Sequence, residues 1–199
     1  MKSIRRNLLT PARLTLSTFA VMIALVASPL WAGGSGPPGI PNFHQVDEHV
    51  YRGAQPPAAS WKGLAGMGVR VVLDLRYEGE AKEHWVGLER QAVESAGMRY
   101  VSVPMDGWSA PTPEQMSRIL AVLDSGEPVF VHCRGGRDRT GTAIACYRMV
   151  HDHWTNSRAL AEAASYGMNP LEKAMQAYIL GFHAPAPPLR AAAPLPSGF

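Results

Sequence analysis

The sequence predicts an α/β fold, in which a mostly parallel sheet of four or five strands carries helices on both faces. Two short apolar segments rich in β-branched residues, 69–75 and 129–133, have the composition of buried strands. Segments with helical periodicity lie between and after them. Because parallel strands are joined by long crossovers that are usually helical, this alternation favours a parallel sheet.

The first half of the predicted domain contains a hairpin, two helices and two strands. Residues 43–52 alternate apolar and polar side chains, which indicates a short hairpin. Helices are expected over 60–67 and 80–96, because Gly68 and Gly97 follow them and glycine is preferred after a helix terminus. A strand over 98–103 follows the second helix. That helix is expected to bury one face, made of Trp85, Leu88, Ala92 and Val93.

Capping signals define the later helices. Thr112, Pro113 and Gln115 supply a cap, a first-turn proline and a capping-box partner, and Gly126 ends the helix that follows. Its expected buried side chains are Met116, Ile119, Leu120 and Leu123. Three more helices are expected over 142–153, 155–166 and 169–182. The last has Asn169 as its expected cap, followed by Pro170 and Glu172.

The N-terminal segment has the pattern of an export signal. Four basic residues and no acidic residue precede an apolar stretch over 14–31. We expect a signal peptide over 1–32, cleaved after Ala32, and an exported protein in the periplasm or outside the cell. An uncleaved membrane anchor is the alternative, although Ser28 and Pro29 interrupt the apolar run and a span needs about 20 apolar residues. After cleavage, we expect no stable membrane span.

The rest of the chain divides by composition. Residues 33–41 form a linker in which seven of nine residues are Gly or Pro. The folded domain is expected over 42–183, and the Pro/Ala-rich tail 184–199 is expected to be disordered. Four of the 19 Lys and Arg residues lie in the signal, which leaves 15 against 16 acidic residues and a net charge of −1. The basic pI therefore gives no argument for nucleic-acid binding. We expect a monomer.

The segment from Cys133 to Thr140 carries the chemistry of the predicted site. Cys133 ends an apolar strand, and a thiolate at the start of a helix is favoured by the helix dipole and by cationic neighbours. Glycine-rich backbone amides can cradle phosphate oxygens, and Arg139 can hold two of them with its planar guanidinium. We call residues 133–139 the phosphate loop. Its expected phosphate-binding residues are Arg134, Gly135, Gly136, Arg137, Asp138, Arg139 and Thr140.

This pattern resembles the signature of cysteine-dependent protein tyrosine and dual-specificity phosphatases. The matching residues are His132, Cys133, Gly136, Arg139, Thr140 and Gly141. Residues 51–56, of sequence YRGAQP, and the last helices also resemble bacterial and plant–fungal members of that superfamily. The resemblance covers about residues 43–167 and implies the protein tyrosine phosphatase-like fold. It also implies hydrolysis of phosphate monoesters through a phosphocysteine, with no cofactor and no metal.

The resemblance assigns further roles. A phosphatase of this kind protonates the leaving oxygen with an Asp on a loop before the signature, and Asp106 occupies that place. Its neighbours Gly107 and Trp108 are expected to give this loop a hinge and a lid. Asp138 is the rival acid, or a structural anchor of the loop. The Thr140 hydroxyl is expected to donate to the Cys133 sulfur, and His132 is expected to orient the loop.

Other polar residues are expected to have structural roles. Arg52 and Gln55 are expected to make structural contacts. Asp74 and Arg76 are expected to form either an ion pair or a loop anchor near the edge of the sheet where ligands bind. Cys146 is expected to be a core residue and not a disulfide partner of Cys133. His151 and His153 are expected to lie at a helix end and not to bind metal.

The substrate class stays open in the sequence. Phosphotyrosine or phosphoserine/threonine in proteins is the first expectation, and a phosphoinositide or inositol phosphate is the second. The second is favoured by Asp138, by the cationic loop and by the expected export, and secreted phytate-degrading enzymes share this type of signature. A phosphate-binding module without turnover is an alternative of another class, and a sulfurtransferase is a more remote one.

Overall fold

The computed structural model describes residues 37, 39–77 and 85–183, with only the backbone of Trp85 and Val86. The expected signal peptide over 1–32 and tail over 184–199 lie outside the described residues. So do most of the linker and the first residues of the helix expected over 80–96.

Five described strands form one sheet in the order β1-β2-β5-β3-β4. β1 pairs antiparallel with β2, and the other neighbours are parallel. The strands are β1 (His44–Gln45), β2 (Val50–Ala54), β3 (Val71–Asp74), β4 (Arg99–Ser102) and β5 (Val129–Cys133). The predicted hairpin and the mostly parallel sheet are therefore confirmed.

Helices cover both faces of the sheet. They are α1 (Trp61–Gly66), preceded by a 3-10 turn over Ala58–Ser60, then α2 (Trp85–Ser95), α3 (Pro113–Leu123), α4 (Asp138–His151), α5 (Asn156–Ser165) and α6 (Lys173–Gly181). The side chains of β5 alternate between two cores: Val129 and Val131 pack with α3 to α6, and Phe130 packs with α1 and α2. This two-residue period is the one that strand geometry imposes. No helix among the described residues combines the length and apolar character that a membrane span requires.

The sheet register brings the carboxyl ends of three parallel strands to one edge. Cys133 pairs with Ala54 on one side, and His132 pairs with Asp74 on the other. In open parallel sheets, ligands bind at this edge. The register therefore fixes the positions of the candidate site residues.

The buried face of α2 differs from the expected one. Val93 is buried, but Leu88 is 62% exposed, and the adjacent acid Glu89 is buried instead. Glu89 occupies the inward position because its carboxylate pairs with Arg76, 2.7 Å away, and with His132. The prediction for Leu88 was wrong, since apolar character alone selected it.

Two helix starts also differ from the expected ones. α4 begins at Asp138, four residues before the expected start, so Arg139 and Thr140 lie in its first turn. α6 begins at Lys173 and not after Asn169. Asn169 instead forms a turn, in which its Oδ1 accepts from the Leu171 N–H at 3.0 Å. The capping box of α3 is present as predicted, with Thr112 and Gln115 in their expected roles.

Candidate active site

The phosphate loop joins β5 to α4 and returns sharply on itself. Gly136 has a φ of +65°, a conformation that glycine adopts without the cost of a side chain. A Cβ at this position would lie 2.5 Å from the backbone nitrogen of Ala54. The loop therefore requires glycine here, both for its backbone conformation and for its contact with β2.

The phosphate loop lines an open pocket of about 550 Å³. The pocket is lined by Gly107, Trp108, Cys133, Arg134, Gly135, Arg137, Asp138, Arg139, Asn169 and Glu172. The structure thus brings together the expected nucleophile, the expected clamp and most of the expected phosphate-binding residues. Gly136, Thr140 and Asp106 are outside this set.

Arg139 connects the two sides of the pocket. Its side chain is buried, and its Nη1 donates to the backbone oxygen of Met105 at 3.3 Å. Met105 immediately precedes Asp106, so the guanidinium is in contact with the loop between β4 and α3. This placement holds Arg139 beside Cys133 in the pocket.

Asp106 lies at the rim of the pocket, with its carboxylate directed to its own loop. Its Oδ1 accepts from the backbone N–H groups of Trp108 at 2.8 Å and Ser109 at 2.9 Å. These hydrogen bonds lower the pKa of Asp106, and the one from Trp108 has the largest effect. The positive charge of Arg139 lowers this pKa further. The side chain is exposed, whereas the next two residues, Gly107 and Trp108, line the pocket.

Asp138 anchors a neighbouring segment. Its Oδ1 accepts a 2.7 Å hydrogen bond from the backbone N–H of Asn169. This contact fixes the residues before α6 to the first turn of α4. Of the two roles left open by the sequence, the structure provides the contact that an anchor requires.

Thr140 does not make the expected hydrogen bond to Cys133. Its Oγ1 is buried and has no hydrogen-bond partner among the residues that the structure describes. Thr140 lies in the first turn of α4, and its side chain is buried there.

A buried charged cluster lies beneath Cys133. His132 is fully buried, with its Nε2 3.0 Å from Glu89 Oε1 and its Nδ1 4.0 Å from Asp74 Oδ1. Burial alone would lower the pKa of His132, but the Asp74 and Glu89 carboxylates outweigh it and raise the pKa. His132 Nδ1 also lies 3.3 Å from the backbone oxygen of Cys133. The expected orienting role of His132 is consistent with these contacts.

Asp74 and Arg76 form the expected ion pair. Arg76 Nη2 lies 2.6 Å from Asp74 Oδ2, and the Tyr100 hydroxyl donates to the same oxygen at 2.6 Å. Among the described residues, Asp74, Glu89 and His132 form the one group with metal-ligand character. Both of its carboxylates are paired with Arg76, so the group is an ion-pair network and we assign it no metal.

Arg52 supports the phosphate loop from below. Its side chain is 1% exposed, and Nη2 donates to the backbone oxygen of Gly136 at 2.8 Å. Its guanidinium lies 4.4 Å from the centre of the Tyr166 ring, a cation–π distance. Asn42 donates to the same Gly136 oxygen at 2.8 Å. The structural contact expected for Arg52 is therefore confirmed. Gln55 contacts the loop through its backbone N–H, which donates to the backbone oxygen of Arg134 at 3.2 Å.

The remaining polar candidates have structural surroundings. Cys133 and Cys146 are both free, and Cys146 is buried in the core, where burial raises the pKa of its thiol. His151 is the last residue of α4, and its Nδ1 lies 2.9 Å from Asp152 Oδ1. The expected core position of Cys146 and the expected position of His151 at a helix end are confirmed.

The sequence reasoning missed one residue of the pocket wall, Glu172, which was interpreted as part of a helix cap. Trp108, expected as a lid beside Asp106, does line the pocket. Trp108 is 70% exposed, whereas Glu172 is 4% exposed. No local signal in the sequence distinguished Glu172.

Comparison with known proteins identifies relatives of this chain. The family model described as "DSP-PTPase phosphatase fused to NAD+ Kinase" matches residues 36–179. Dual specificity protein phosphatase TpbA of Pseudomonas aeruginosa (strain UCBPP-PA14) is 31% identical over 146 residues, which cover 72% of this chain and 62% of TpbA. Inositol diphosphatase DSP5 of Arabidopsis thaliana is 26% identical over 128 residues, which cover 61% of this chain and 60% of DSP5. The matches thus span less than two thirds of these curated relatives.

A solved structure has the same fold. The crystal structure of a cysteine-to-serine variant of P. aeruginosa TpbA in complex with pTyr superimposes with a TM-score of 0.58 and 26% sequence identity. The superposition covers 78% of this chain and 91% of that chain.

Proposed function

The chain belongs to the DSP-PTPase phosphatase family, and on that premise we propose that it hydrolyses phosphate monoesters through a phosphocysteine intermediate. The observation that carries this proposal is the pocket in which Cys133, Arg139 and the backbone of the phosphate loop converge at the N-terminus of α4. A helix N-terminus with exposed amides favours an anion at this position.

In the first step, the Cys133 thiolate attacks phosphorus and expels the ester oxygen. Arg139 and the loop amides hold the equatorial oxygens of the phosphoryl group as charge redistributes. The leaving oxygen takes a proton from Asp106, which requires this side chain to turn from its own loop toward the pocket. Gly107, the next residue, gives the backbone freedom for such a movement.

In the second step, water attacks the phosphocysteine. The new P–O bond forms as the P–S bond breaks, and the thiolate leaves with the electron pair. The attacking water loses a proton in this step, and Asp106 regains from solvent the proton that it gave to the leaving group. Phosphate is then released, and Cys133 returns to its starting state.

For the substrate, we favour phosphorylated side chains of proteins. Trp108 presents an exposed aromatic surface at the pocket, and an aromatic face suits a phenyl ring or a peptide. TpbA, a relative, is named a dual specificity protein phosphatase, and its variant was solved with pTyr.

An inositol phosphate is the second candidate. Arg134 and Arg137 are exposed and line the pocket beside Arg139, and a cluster of guanidinium groups suits a ligand with several phosphates. One relative is named an inositol diphosphatase.

A substrate panel with a nucleophile variant tests the proposal. Residues 33–199 would be assayed in the presence of EDTA with p-nitrophenyl phosphate, a phosphotyrosine peptide, a phosphoserine peptide, a phosphoinositide and phytate. We expect the unmodified protein to turn over substrate and the Cys133→Ser variant to be inactive. The Cys146→Ser variant, which changes the other free buried cysteine, should retain activity. Turnover that persists in Cys133→Ser would exclude the phosphocysteine. Phosphate binding without turnover would instead favour a binding module.

We also propose that residues 1–32 direct export and are removed. The N-terminal sequence of the protein recovered from a periplasmic fraction tests this. A mature chain that begins at Gly33 is expected, and retention of residues 1–32 in a membrane fraction would indicate an anchor.

A further inference from the structure

We propose that Glu172 is the base that accepts a proton from the water that hydrolyses the phosphocysteine. This inference rests on the proposed phosphatase function and assigns a role that the sequence signature does not contain.

The position of Glu172 is unusual for a glutamate. It precedes α6, and its side chain makes no capping hydrogen bond to that helix. It lies in the wall of the same pocket as Cys133 and Arg139, and the residue is 4% exposed. Its Oε2 is buried and has no hydrogen-bond partner among residues 37, 39–77 and 85–183. A buried carboxylate oxygen without a partner is costly, so a polar ligand in the pocket is its natural partner.

The surroundings of Glu172 make it a stronger base than an ordinary glutamate. Burial raises its pKa, and the Asp138 and Asp106 carboxylates also raise it, while Arg139 lowers it. The other ionisable groups that line the pocket are Cys133, Arg134 and Arg137.

The position of Glu172 also indicates that it acts in the second chemical step and not in the first. In the first step the leaving group of a large substrate projects out of the pocket, where the exposed Asp106 can reach it. Glu172 is buried in the wall, so a water molecule can reach it more readily than a bulky leaving group can. The space next to phosphorus becomes available to water only after that group has departed.

All protons and electrons of this step are accounted for by water, Cys133 and Glu172. Water forms the P–O bond, the P–S bond breaks, and its electron pair returns to Cys133 as thiolate. The proton of the attacking water moves to the Glu172 carboxylate. Glu172 then releases the proton to solvent or to the departing phosphate, and no further reactant is required.

Rapid-mixing kinetics with p-nitrophenyl phosphate test the proposal. Glu172→Gln keeps the size of the side chain and removes the base. We expect a burst of nitrophenol close to one equivalent of enzyme, followed by steady-state turnover about 100-fold slower than that of the unmodified protein. Acid quenching with ³²P-labelled substrate should trap the phosphoenzyme in this variant. Glu94→Gln, a change at an exposed acid of α2, should leave both phases unchanged.

Steady-state turnover of Glu172→Gln within twofold of the unmodified rate would overturn the proposal. Loss of the burst together with turnover would also overturn it, because Glu172 would then act before the phosphoenzyme forms. A test without any variant follows from the pH dependence. The hydrolysis rate should rise with pH as Glu172 loses its proton, and a pH-independent rate would contradict the proposal. Failure of the phosphatase function itself is distinguishable, since the unmodified protein would then show no turnover or Cys133→Ser would keep it.

Discussion

The backbone N–H of Asn169 donates a 2.7 Å hydrogen bond to Oδ1 of Asp138, which joins two positions 31 residues apart in the chain. One partner lies in the first turn of α4 and the other lies in the segment before α6. Glu172 belongs to that segment, and its own backbone N–H bonds to the Asn169 oxygen at 3.0 Å. Asp138 therefore holds in place the segment that carries the buried carboxylate of the pocket.

Asp138→Ala should destabilise the protein and disturb the pocket, while Asp106, the proposed general acid, stays in place. Loss of a hydrogen bond to a charged acceptor is expected to cost about 1.5–3 kcal/mol in the free energy of unfolding, measured by urea titration. Asp124→Ala, at the exposed end of α3, is the control and should have a smaller effect. In the unmodified protein, the rate of the first turnover should decline at higher pH as the general acid loses its proton. If this decline were absent in Asp138→Ala, Asp138 would be the acid and not the anchor.

Gly136→Ala should abolish most of the activity. The residue has a positive φ, and the added Cβ would collide with the backbone of β2. The loop must shift to relieve this collision, and a shift of about 1 Å in a catalytic group can cost about 100-fold in rate. We expect kcat/KM for p-nitrophenyl phosphate to fall by at least that factor.

Gly87→Ala is the matched control for this substitution. Gly87 lies in α2, and a Cβ added there would meet no described atom within 4 Å beyond its chain neighbours and the backbone of its own helix. Alanine is favoured over glycine in a helix by about 0.5–1 kcal/mol. The control should therefore keep full activity and gain stability. Equal activity of the two variants would contradict the requirement for glycine at position 136.

The residues that could be predicted from the sequence are those whose roles depend on neighbours close by in the chain. Cys133 and Arg139 could be placed because the turn from β5 to α4 fixes their separation within a few residues. The cap of α3 could be predicted for the same reason, since Thr112 and Gln115 contact each other across one turn. These inferences needed no knowledge of which distant segments meet.

Glu89 and Glu172 could not be placed because their roles depend on distant contacts. Glu89 has the pattern of a solvated helix acid until Arg76 and His132 are brought against it. Glu172 follows Asn169 by three residues, which is the spacing of a capping pair. The hydrogen bond from Asn169 to Asp138 overrides that local pattern and delays the start of α6 to Lys173.

Glu89→Gln should destabilise the protein more at low pH than at high pH. The folded-state pKa of His132 is raised, so its contribution to stability is complete below its unfolded pKa of about 6.5 and is lost as pH rises through the folded pKa. Removal of the Glu89 charge weakens this contribution and breaks a buried pair, which typically costs about 3–5 kcal/mol.

Thermal unfolding between about pH 5.5 and pH 9 measures this effect. The difference in Tm between the unmodified protein and Glu89→Gln should be largest at the acidic end and should shrink as His132 loses its proton. Glu94→Gln, on the exposed side of the same helix, should show no such trend. A difference that stayed constant with pH would contradict the loss of a proton by His132 within this range.

Asp106→Asn should slow the first chemical step in a manner that depends on the leaving group. If Asp106 protonates the leaving oxygen, its loss should reduce the burst rate by about 100-fold or more. The reduction should be larger for phenyl phosphate than for p-nitrophenyl phosphate, because the more basic phenolate depends more on protonation. The lowered pKa of Asp106 also predicts that the burst rate of the unmodified protein declines above acidic pH, as the acid loses its proton. This decline should be absent in Asp106→Asn, and an unchanged decline would assign the proton donor to another residue.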